Sequence, residues 1–298
     1  MTGSRTPTRD ILASTDHQTA RTAAMDGYEI RELQHQLKVY KHGRYVAALQ
    51  QGAFRPYIHP VMTPRGHAVT QISPVDHLHH QGIWFGHQDV DGVNFWNPES
   101  EYPAPLMVAT STKTDVRPDG VTFRQEVQWR DGDHDIRLAD VRVITVSEEQ
   151  DHTAIDVTVT LRAGNIDVAM GQTKEAGLAV RVADQIDTID GGRIENADGL
   201  VNEAGTFDQI SAWVDYAGPI SRTETAGIAI FPHPGSGGIP WFTRDYGPMY
   251  VNPWRHAPLQ LAAGTSRTIG ARFVAHDGSC EEAHIADIFT RFHAELDG

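Results

Sequence analysis

VTFRQEVQWRDGDHDIRLADVRVITV (121–146) is the stretch that decides the fold. Two runs rich in β-branched and aromatic residues flank the turn RDGD, which predicts an antiparallel hairpin. The following run, HTAIDVTVTLRA (152–163), alternates apolar and polar residues as a half-buried strand does. The sequence therefore predicts antiparallel strands in this region.

Similar short runs extend through the chain. Strand-like segments separated by turn residues recur roughly a dozen times or more, beginning with YEIREL (28–33), LKVYKHG (37–43) and RYVAALQQ (44–51). Three prolines in FRPYIHPVMTPRG (54–66) predict an edge strand or an ordered loop. The Gly- and Asn-rich stretch 188–205 predicts a loop. We expect an all-β fold, a large antiparallel sandwich.

One segment has helical character, SCEEAHIADIFTRFHAEL (279–296). Ser279 and Glu282 match a capping box. An apolar stripe follows at helical spacing, formed by Ile285, Ile288, Phe289 and Phe292. We therefore expect one C-terminal helix. Residues 1–25 are expected to be a flexible N-terminal segment, and residues 26–298 a single β-sandwich domain.

The composition narrows the classes of function. The chain has 298 residues and a net charge of −14, which disfavours nucleic acid as a partner because phosphate backbones are also negative. Its one cysteine, Cys280, excludes a disulfide framework and a cysteine-ligated metal cluster. No apolar run approaches the ~20 residues of a membrane span, and the polar N-terminus lacks the apolar core of a secretory signal. We expect a cytoplasmic protein with no membrane partner.

Chemically versatile residues concentrate between His59 and Trp96, where six of the sixteen histidines lie. They are His59, His67, His77, His79, His80 and His87. His67 stands in a Pro- and Gly-flanked segment with no evident partner and is set aside. If residues 77–80 form a strand, His77 and His79 share a face and His80 points the other way.

Imidazole is the commonest metal ligand, and it also transfers protons near neutral pH. A divalent metal is therefore one candidate cofactor, held by His77, His79 and His87, with His59 or Glu175 as a further ligand. The alternative is that these histidines line a turn as ordinary hydrogen-bonded polar groups.

Further residues could complete a pocket. Trp84 could stack on a sugar ring or belong to the core. Glu175 is a candidate general base, and Lys174 could polarise a carbonyl, unless both lie in a solvated turn. The segment RDYGPMYVNPWRH (244–256) adds polar and aromatic groups suited to ligand binding, with Arg244, Tyr246 and Asn252 as candidates. For Arg244, a surface ion pair with Asp245 is the alternative.

Six motifs together resemble those of DUF6807, a bacterial family of unknown function that is also labelled methane oxygenase PmoA-like. They are HPVMTPRG (59–66), DHLHHQGIWFGH (76–87), DGVNFW (91–96), TKEAGLAVRV (173–182), WVDYAG (213–218) and RDYGPMYVNPW (244–254). The resemblance covers residues 28–276 and implies a galactose-mutarotase-like β-supersandwich. Mutarotase-like enzymes pair a histidine acid with a carboxylate base, which here implies His79 or His80 with Glu175. Family members commonly stand beside sugar dehydrogenases of the Gfo/Idh/MocA type, which implies carbohydrate work and such a dehydrogenase as a partner.

Three functions are open at this point. The first is a carbohydrate-active enzyme of epimerase or lyase type, which acts on a sugar or an oxidised (keto) sugar glycoside by general acid/base chemistry. Its candidate catalytic residues are His79, His80 and Glu175, and its candidate substrate-binding residues are His59, His87, Trp84, Lys174, Arg244, Tyr246 and Asn252. The second is a histidine-ligated metal-dependent lyase or hydrolase. The third is a non-catalytic carbohydrate-binding protein.

Overall fold

Two large antiparallel sheets form the protein in the computed structural model, which describes residues 21–25, 27–236, 238 and 240–297. Strands are numbered in chain order. The first sheet has nine strands, in the spatial order β1 (Arg21–Met25), β2 (Tyr28–Leu33), β3 (Gln36–Lys41), β4 (Arg44–Gln51), β5 (Pro56–Val61), β6 (Ile83–His87), β12 (Ala176–Arg181), β17 (Pro248–Val251) and β16 (Trp241–Thr243).

The second sheet has eight strands, in the spatial order β13 (Arg193–Asn196), β14 (Val214–Pro219), β15 (Thr225–Pro232), β19 (Ser266–Asp277), β10 (His152–Arg162), β9 (Ile136–Glu148), β8 (Gly120–Arg130) and β7 (Leu106–Arg117). A small separate pair joins β11 (Val168–Met170) to β18 (Leu259–Leu261). The predicted all-β antiparallel sandwich is confirmed.

The stretch that decides the fold behaves as predicted. Strands β8 and β9 pair antiparallel on either side of the RDGD turn, and β10 pairs with β9. Asp131 closes the turn because its Oδ1 accepts the backbone N–H groups of Asp133 and Asp135, at 3.0 and 2.9 Å. The alternation of β10 directs Ile155 and Val157 to the core, since successive side chains of a strand point to opposite faces.

An apolar core fills the space between the two large sheets. Phe123 and Trp129 reach it from the second sheet, while Phe85 and Met249 reach it from the first. The rings of Phe85 and Trp129 meet edge to face, with centroids 5.6 Å apart. One face of each sheet therefore packs in this core. The opposite, outer face of the nine-stranded sheet takes no part in it.

The predicted C-terminal helix is confirmed as α2 (Ile285–Asp297). Ser279 and Glu282 make the reciprocal bonds of a capping box, at 2.9 and 3.3 Å, although a turn separates them from the first helical residue. The apolar stripe of the helix packs on Phe231 and Val274, on the outer face of the second sheet. Within the described ranges, no helix is long and apolar enough to cross a membrane.

Three segments differ from expectation. Strand β5 is an inner strand despite its prolines, which is possible because it pairs with β6 only at Tyr57 and Ile58, before Pro60. Segment 188–205, expected to be a loop, contains β13 and begins α1 (Asn202–Thr206). Residues 21–25, expected to be flexible, form β1, which pairs with β2. The expectation for residues 1–20 lies outside the described residues.

Candidate functional site

A second apolar layer covers the outer face of the nine-stranded sheet. It contains Trp84 from β6, Ala179 from β12, Phe242 from β16 and Tyr250 from β17, all buried. Trp96, from the loop after β6, closes the layer against Trp84, with ring centroids 5.4 Å apart. The segments that cover this face therefore pack on a layer of buried, mainly aromatic side chains.

The histidine-rich segment lies on this layer as two consecutive turns. The N–H of His77 donates to the carbonyl of Pro74 at 3.1 Å, and the N–H of His80 donates to the carbonyl of His77 at 3.0 Å. The condition considered for residues 77–80, that they lie on a strand, is therefore not met. Because a turn brings residues i and i+3 together, His77 and His80 stack with centroids 4.6 Å apart instead of pointing to opposite sides.

Four ring side chains cluster here, and Tyr246 lies 6.5 Å from His80 as well, so the rings do not form a straight stack. Tyr246, from the turn between β16 and β17, stacks on His77 at 4.9 Å. His80 in turn stacks on Trp84 at 5.1 Å. Trp84 is only 2% exposed, so it supports His80 and offers little surface to a ligand. The structure thus brings together five of the predicted residues: His77, His79, His80, Trp84 and Tyr246.

His79 stands edge-on to His80, with centroids 4.6 Å apart, and is oriented by a carboxylate. Its Nδ1–H donates to Oε1 of Glu99 at 2.6 Å. Among the described residues nothing bonds to Nε2, which is also not a buried atom and so faces solvent. Burial lowers the pKa of His79, and the Glu99 charge opposes this shift. A neutral His79 with its proton on Nδ1 presents the lone pair of Nε2 as a base.

His80 has the opposite tautomer. Its Nδ1 lies 3.3 Å from Nη1 of Arg181, and because a guanidinium only donates, Nδ1 must accept. The proton of a neutral His80 is therefore on Nε2. Burial holds the pKa of His80 far below its ordinary value, with the neighbouring histidines and arginines as further causes. His79 and His80 thus form a pair in which one ring can accept a proton and the other donates a hydrogen bond.

Arg181 is itself fixed by carboxylates. Its guanidinium lies 3.4 Å from Asp76 and 3.8 Å from Asp184. Asp76 also accepts the Nδ1–H of His77 at 2.7 Å. This network holds the turn against β12.

Gly82 lets this turn approach the sheet closely. Its φ is +57°, and a Cβ at this position would lie 2.2 Å from the carbonyl oxygen of Ile58. The next strand, β6, begins at the following residue. His59 lies next to Gly82, since the Cβ of His59 would be 2.8 Å from a Cβ added to Gly82. Nδ1 of His59 is 2.9 Å from the hydroxyl of Thr70, and burial lowers its pKa to about 4.

The possible metal ligands His77, His79 and His87 do not all lie in one place in the structure. His87 ends β6 with its ring against Trp254 of the core, at 5.0 Å and nearly perpendicular. Its Nδ1 accepts the backbone N–H of Asp89 at 2.9 Å, and burial lowers its pKa to about 4. His87 points inward because alternation along β6 places it on the face opposite Trp84. It is therefore also separated from the pocket to which it was assigned as a substrate-binding residue.

In the part of the chain that the structure describes, one set of three potential ligand groups has all its atoms within 4.8 Å: Glu149, Asp151 and His152, at the turn between β9 and β10. This set is far in sequence from the histidine turns. The three predicted histidines do not converge in this way.

Glu175 and Lys174 lie at the start of β12. Glu175 immediately precedes the first residue of β12, Ala176. The side chain of Lys174 is 54% exposed, and its Nζ lies 3.8 Å from Oε1 of Glu175. Burial raises the pKa of Tyr246, and the Glu175 charge is the last of the causes that act on it. Among the described hydrogen bonds, none joins Glu175 to His79 or to His80.

The last two predicted residues are engaged in structural contacts. Arg244 pairs with Glu203 and lies over the rings of Phe207 and Phe242, 4.4 and 4.8 Å from their centroids. The alternative for Arg244 was an ion pair with Asp245, and the structure pairs it with Glu203 instead.

Asn252 is fully buried. Its Nδ2 donates to the carbonyl of Thr173 at 2.8 Å, and its Oδ1 accepts the N–H of Trp254 at 2.9 Å. Both of these contacts are to backbone groups of the chain itself. Asn252 thus joins the segment after β17 to the segment before β12, and its role in substrate binding stays a prediction.

Sequence reasoning missed Glu99, Arg181 and Arg55. Glu99 lies in a segment whose composition indicates only a loop. Arg181 carried a signal, since it is the one charged residue inside the otherwise apolar run AGLAVRV (176–182). Arg55 is fully buried beside Trp96, where its Nη2 donates to the Trp96 carbonyl. No local pattern distinguishes it from an exposed arginine.

These features define a class of protein: an antiparallel β-sandwich with a histidine-rich candidate site on the outer face of one sheet. The chain belongs to DUF6807, a family of unknown function, whose model matches residues 35–290. No curated protein matches the chain.

The chain is similar to several solved structures. A galactose mutarotase related enzyme from Lactobacillus acidophilus is 6% identical with a TM-score of 0.36, over 86% of this chain and 97% of that one. A candidate aldose 1-epimerase from Escherichia coli K12 is 10% identical with a TM-score of 0.32, over 87% of this chain and 99% of that one. A 4-alpha-glucanotransferase from Thermococcus litoralis is 10% identical with a TM-score of 0.27, over 85% of this chain and 39% of that one.

Proposed function

We propose that this protein is a carbohydrate-active enzyme that removes a proton from the carbon next to a carbonyl group of an oxidised (keto) sugar glycoside. The complementary pair His79 and His80 is the observation that carries the proposal. A base and a neutral hydrogen-bond donor, 4.6 Å apart between ring centroids, are the two groups that enolate formation needs.

Nε2 of His79 takes the proton, and the C–H electron pair moves to the carbonyl oxygen. The Nε2–H of His80 stabilises that oxygen as negative charge develops on it. A neutral imidazole is suited to this role because the pKa of its N–H group is close to the pKa of the enol. The pKa of an imidazolium is further away.

The enolate has two outcomes. Return of the proton to the opposite face of the carbon gives the epimer. Expulsion of the glycosidic oxygen from the neighbouring β-carbon gives an unsaturated keto sugar and a free alcohol. Glu175 and Lys174 lie at the start of β12, where Glu175 could protonate the departing oxygen or act as the second base of an epimerase. A keto group is a product of sugar oxidation, so a sugar dehydrogenase of the Gfo/Idh/MocA type is the proposed supplier of substrate in the cytoplasm.

The decisive experiment follows hydrogen exchange by NMR. The protein is incubated in D₂O with a panel of glycosides and their keto counterparts, and loss of the C–H signal, epimer formation and release of the alcohol are recorded. We expect exchange with keto substrates only. His79→Gln should reduce it by about 10²–10⁴-fold, and His80→Gln should also slow it.

His35→Gln is the matched control, because His35 is exposed in the turn between β2 and β3. It should retain full activity. Binding of the panel without exchange or product in the wild-type protein would identify a non-catalytic carbohydrate-binding protein and overturn the proposal.

A further inference from the structure

A cavity of about 570 Å³ opens on the outer face of the eight-stranded sheet, on the other side of the sandwich from the histidine turns. Strands β13 and β14 line it from the sheet, and the segment between β19 and α2 lines it from above. Asp215 of β14 faces it, two residues after Trp213, which packs under α2 on the same face. Its size lies within the range of small-ligand sites, roughly 300–1,000 Å³.

Asp215 forms the floor of this cavity and is held there by a buried histidine. Its side chain is 1% exposed, and its Oδ1 accepts the Nε2–H of His276 at 2.8 Å. The two residues lie on β14 and β19, with β15 between them. The imidazole reaches across β15 at Gly227, where an added Cβ would lie 2.6 Å from Nε2 of His276. The missing side chain at Gly227 therefore makes the contact possible.

This hydrogen bond leaves Asp215 charged and its second oxygen without a partner. Nδ1 of His276 is buried and makes no hydrogen bond in the described part of the chain, so a proton there would be an unsatisfied buried donor. The single proton of the ring is therefore on Nε2, and the imidazole does not neutralise the carboxylate. Oδ2 of Asp215 accepts no hydrogen bond from the described residues and faces the cavity. One hydrogen bond compensates only part of the cost of burying a carboxylate, so this oxygen lacks a cationic partner.

The other charged groups of the cavity give it a negative balance. Glu195 and Glu281 line it along with Asp215, and the one cation in the lining is Arg193. Arg193 is already paired, since its Nε lies 2.9 Å from Oε2 of Glu195. Three carboxylates against one paired guanidinium favour a cationic ligand.

The lining also narrows the chemistry of that cation. No aromatic side chain is among the described residues around the cavity, so it has no surface on which a sugar ring could stack. Within residues 27–236, 238 and 240–297, the three carboxylates do not bring their oxygens within 4.8 Å of one another, as the ligands of one metal ion would. Separated carboxylates suit an organic ion that carries its charges at separate positions.

We propose that this cavity binds a small organic cation with two protonated amino groups, one held by Asp215 at the floor and the other by Glu195 and Glu281 nearer the surface. Glu195 is 31% exposed and Glu281 is exposed, so both stand closer to solvent than Asp215. Ala217 and Pro219 line the space as well and offer apolar contacts to the methylene groups between the two charges. The site is on the sheet opposite the histidine turns, so the inference is independent of the proposed function.

The test is isothermal titration calorimetry of the full chain at low ionic strength with three probes of the same carbon chain: diaminobutane, butylamine and butanediol. We expect the diamine to bind about 10-fold or more tightly than the monoamine, and the diol not to bind. Asp215→Asn retains an oxygen that accepts the His276 N–H but loses the charge, and it should weaken diamine binding by about 10–100-fold. Asp115→Asn is the matched control, because Asp115 is exposed on β7 at the opposite edge of the same sheet. It should bind the diamine as the wild-type protein does.

Two further variants change the charge nearer the surface in opposite directions. Glu281→Gln removes a carboxylate and should weaken diamine binding by about threefold. Arg193→Gln removes the competing cation from Glu195 and should strengthen binding by about the same factor.

Three results would overturn the inference. They are no binding of diaminobutane to the wild-type protein up to about 10 mM, equal affinity of Asp215→Asn and Asp115→Asn for it, and butanediol binding as tight as diamine binding. A purely structural Asp215–His276 contact gives the second result together with a lowered Tm of Asp215→Asn. If Asp215→Asn does not fold, Glu281→Gln and Arg193→Gln decide: opposite changes in affinity uphold the inference, and equal or absent changes overturn it. None of these results bears on hydrogen exchange at His79, so the two proposals fail separately.

Discussion

Glu99→Gln tests the orientation and charge of the proposed base. The substitution is nearly isosteric, and the new amide oxygen can still accept the Nδ1–H of His79. What it removes is the negative charge that lies 2.6 Å from Nδ1. The two side chains are 13% and 27% exposed, for His79 and Glu99, so water only partly screens the pair.

The size of the effect follows from the geometry. Two unit charges about 4 Å apart interact by about 1–4 kcal/mol as the effective dielectric constant changes from 80 to 20. Partial exposure favours the lower half of this range, which corresponds to one or two pKa units, on the order of 1.4–2.7 kcal/mol. The carboxylate favours the protonated imidazole, so its removal lowers the pKa of His79 further below the ordinary value.

A weaker base removes a proton more slowly. Together with looser orientation of the ring, this predicts a fall in kcat/KM for hydrogen exchange of about 10–100-fold. The assay is the D₂O exchange reaction, combined with imidazole NMR to follow the pKa of His79. Glu101→Gln is the control, since Glu101 is exposed two residues away in the same loop.

Two results would refute this reasoning. One is a kcat/KM for Glu99→Gln within twofold of that for Glu101→Gln, a margin of roughly 0.4 kcal/mol in transition-state free energy. The other is a His79 pKa that rises in Glu99→Gln, because the sign of the charge effect would then be wrong.

Three further predictions concern stability. Because the pKa of His87 is about 4 when folded and 6.5 when unfolded, the unfolded chain binds more protons between these values; His87 alone should lower the free energy of unfolding in urea by about 3 kcal/mol from pH 6.5 to 4, in addition to the loss from His59, whose folded pKa is also about 4, and His87→Gln should remove the His87 share of that slope. Gly82→Ala should destabilise the protein by at least ~2 kcal/mol more than Gly66→Ala, which shares the positive φ but has open space around it, as measured by chemical denaturation. Asp140→Ala leaves the buried Arg142 unpaired and should cost about 3–5 kcal/mol in the same measurement, so a loss below ~1 kcal/mol would contradict the importance of the pair.

The sequence predicts the sandwich well because each strand with one buried face shows that face as a two-residue alternation. Ile155 and Val157 are recognisable as core residues from their spacing alone. The C-terminal helix is recognisable because its apolar residues recur every three or four positions, the spacing of one helix face. Strand β5 was mistaken for an edge or a loop because prolines exclude only the hydrogen bonds of their own nitrogen atoms. Whether a neighbouring strand would require an N–H at those positions depends on the strand register, which a single sequence does not specify.

The site was harder to predict because its geometry comes from tertiary contacts. DHLHHQ (76–81) has no apolar periodicity, so a strand and a pair of turns were equally compatible with it. On a strand His77 would share a face with His79, whereas in the turns His77 stacks on His80. Glu99 is selected as the partner of His79 by the folding of two loops, twenty residues apart. A charged residue within an apolar strand, as at Arg181, is the kind of local signal that could have located the face.

The aromatic residues of the site act on the histidines more than on a ligand. Trp84 and Trp96 are almost completely buried, so they have little surface on which a sugar could stack. The contact of Trp84 with His80 removes water from one face of that ring, and loss of water is the largest cause of its lowered pKa. Under the proposed function, a substrate would be recognised by more exposed groups such as Lys174 and His77, whose side chains are 54% and 33% exposed. Changes at these groups should alter which sugar is accepted, whereas changes at Trp84 should alter the pH range in which the pair can work.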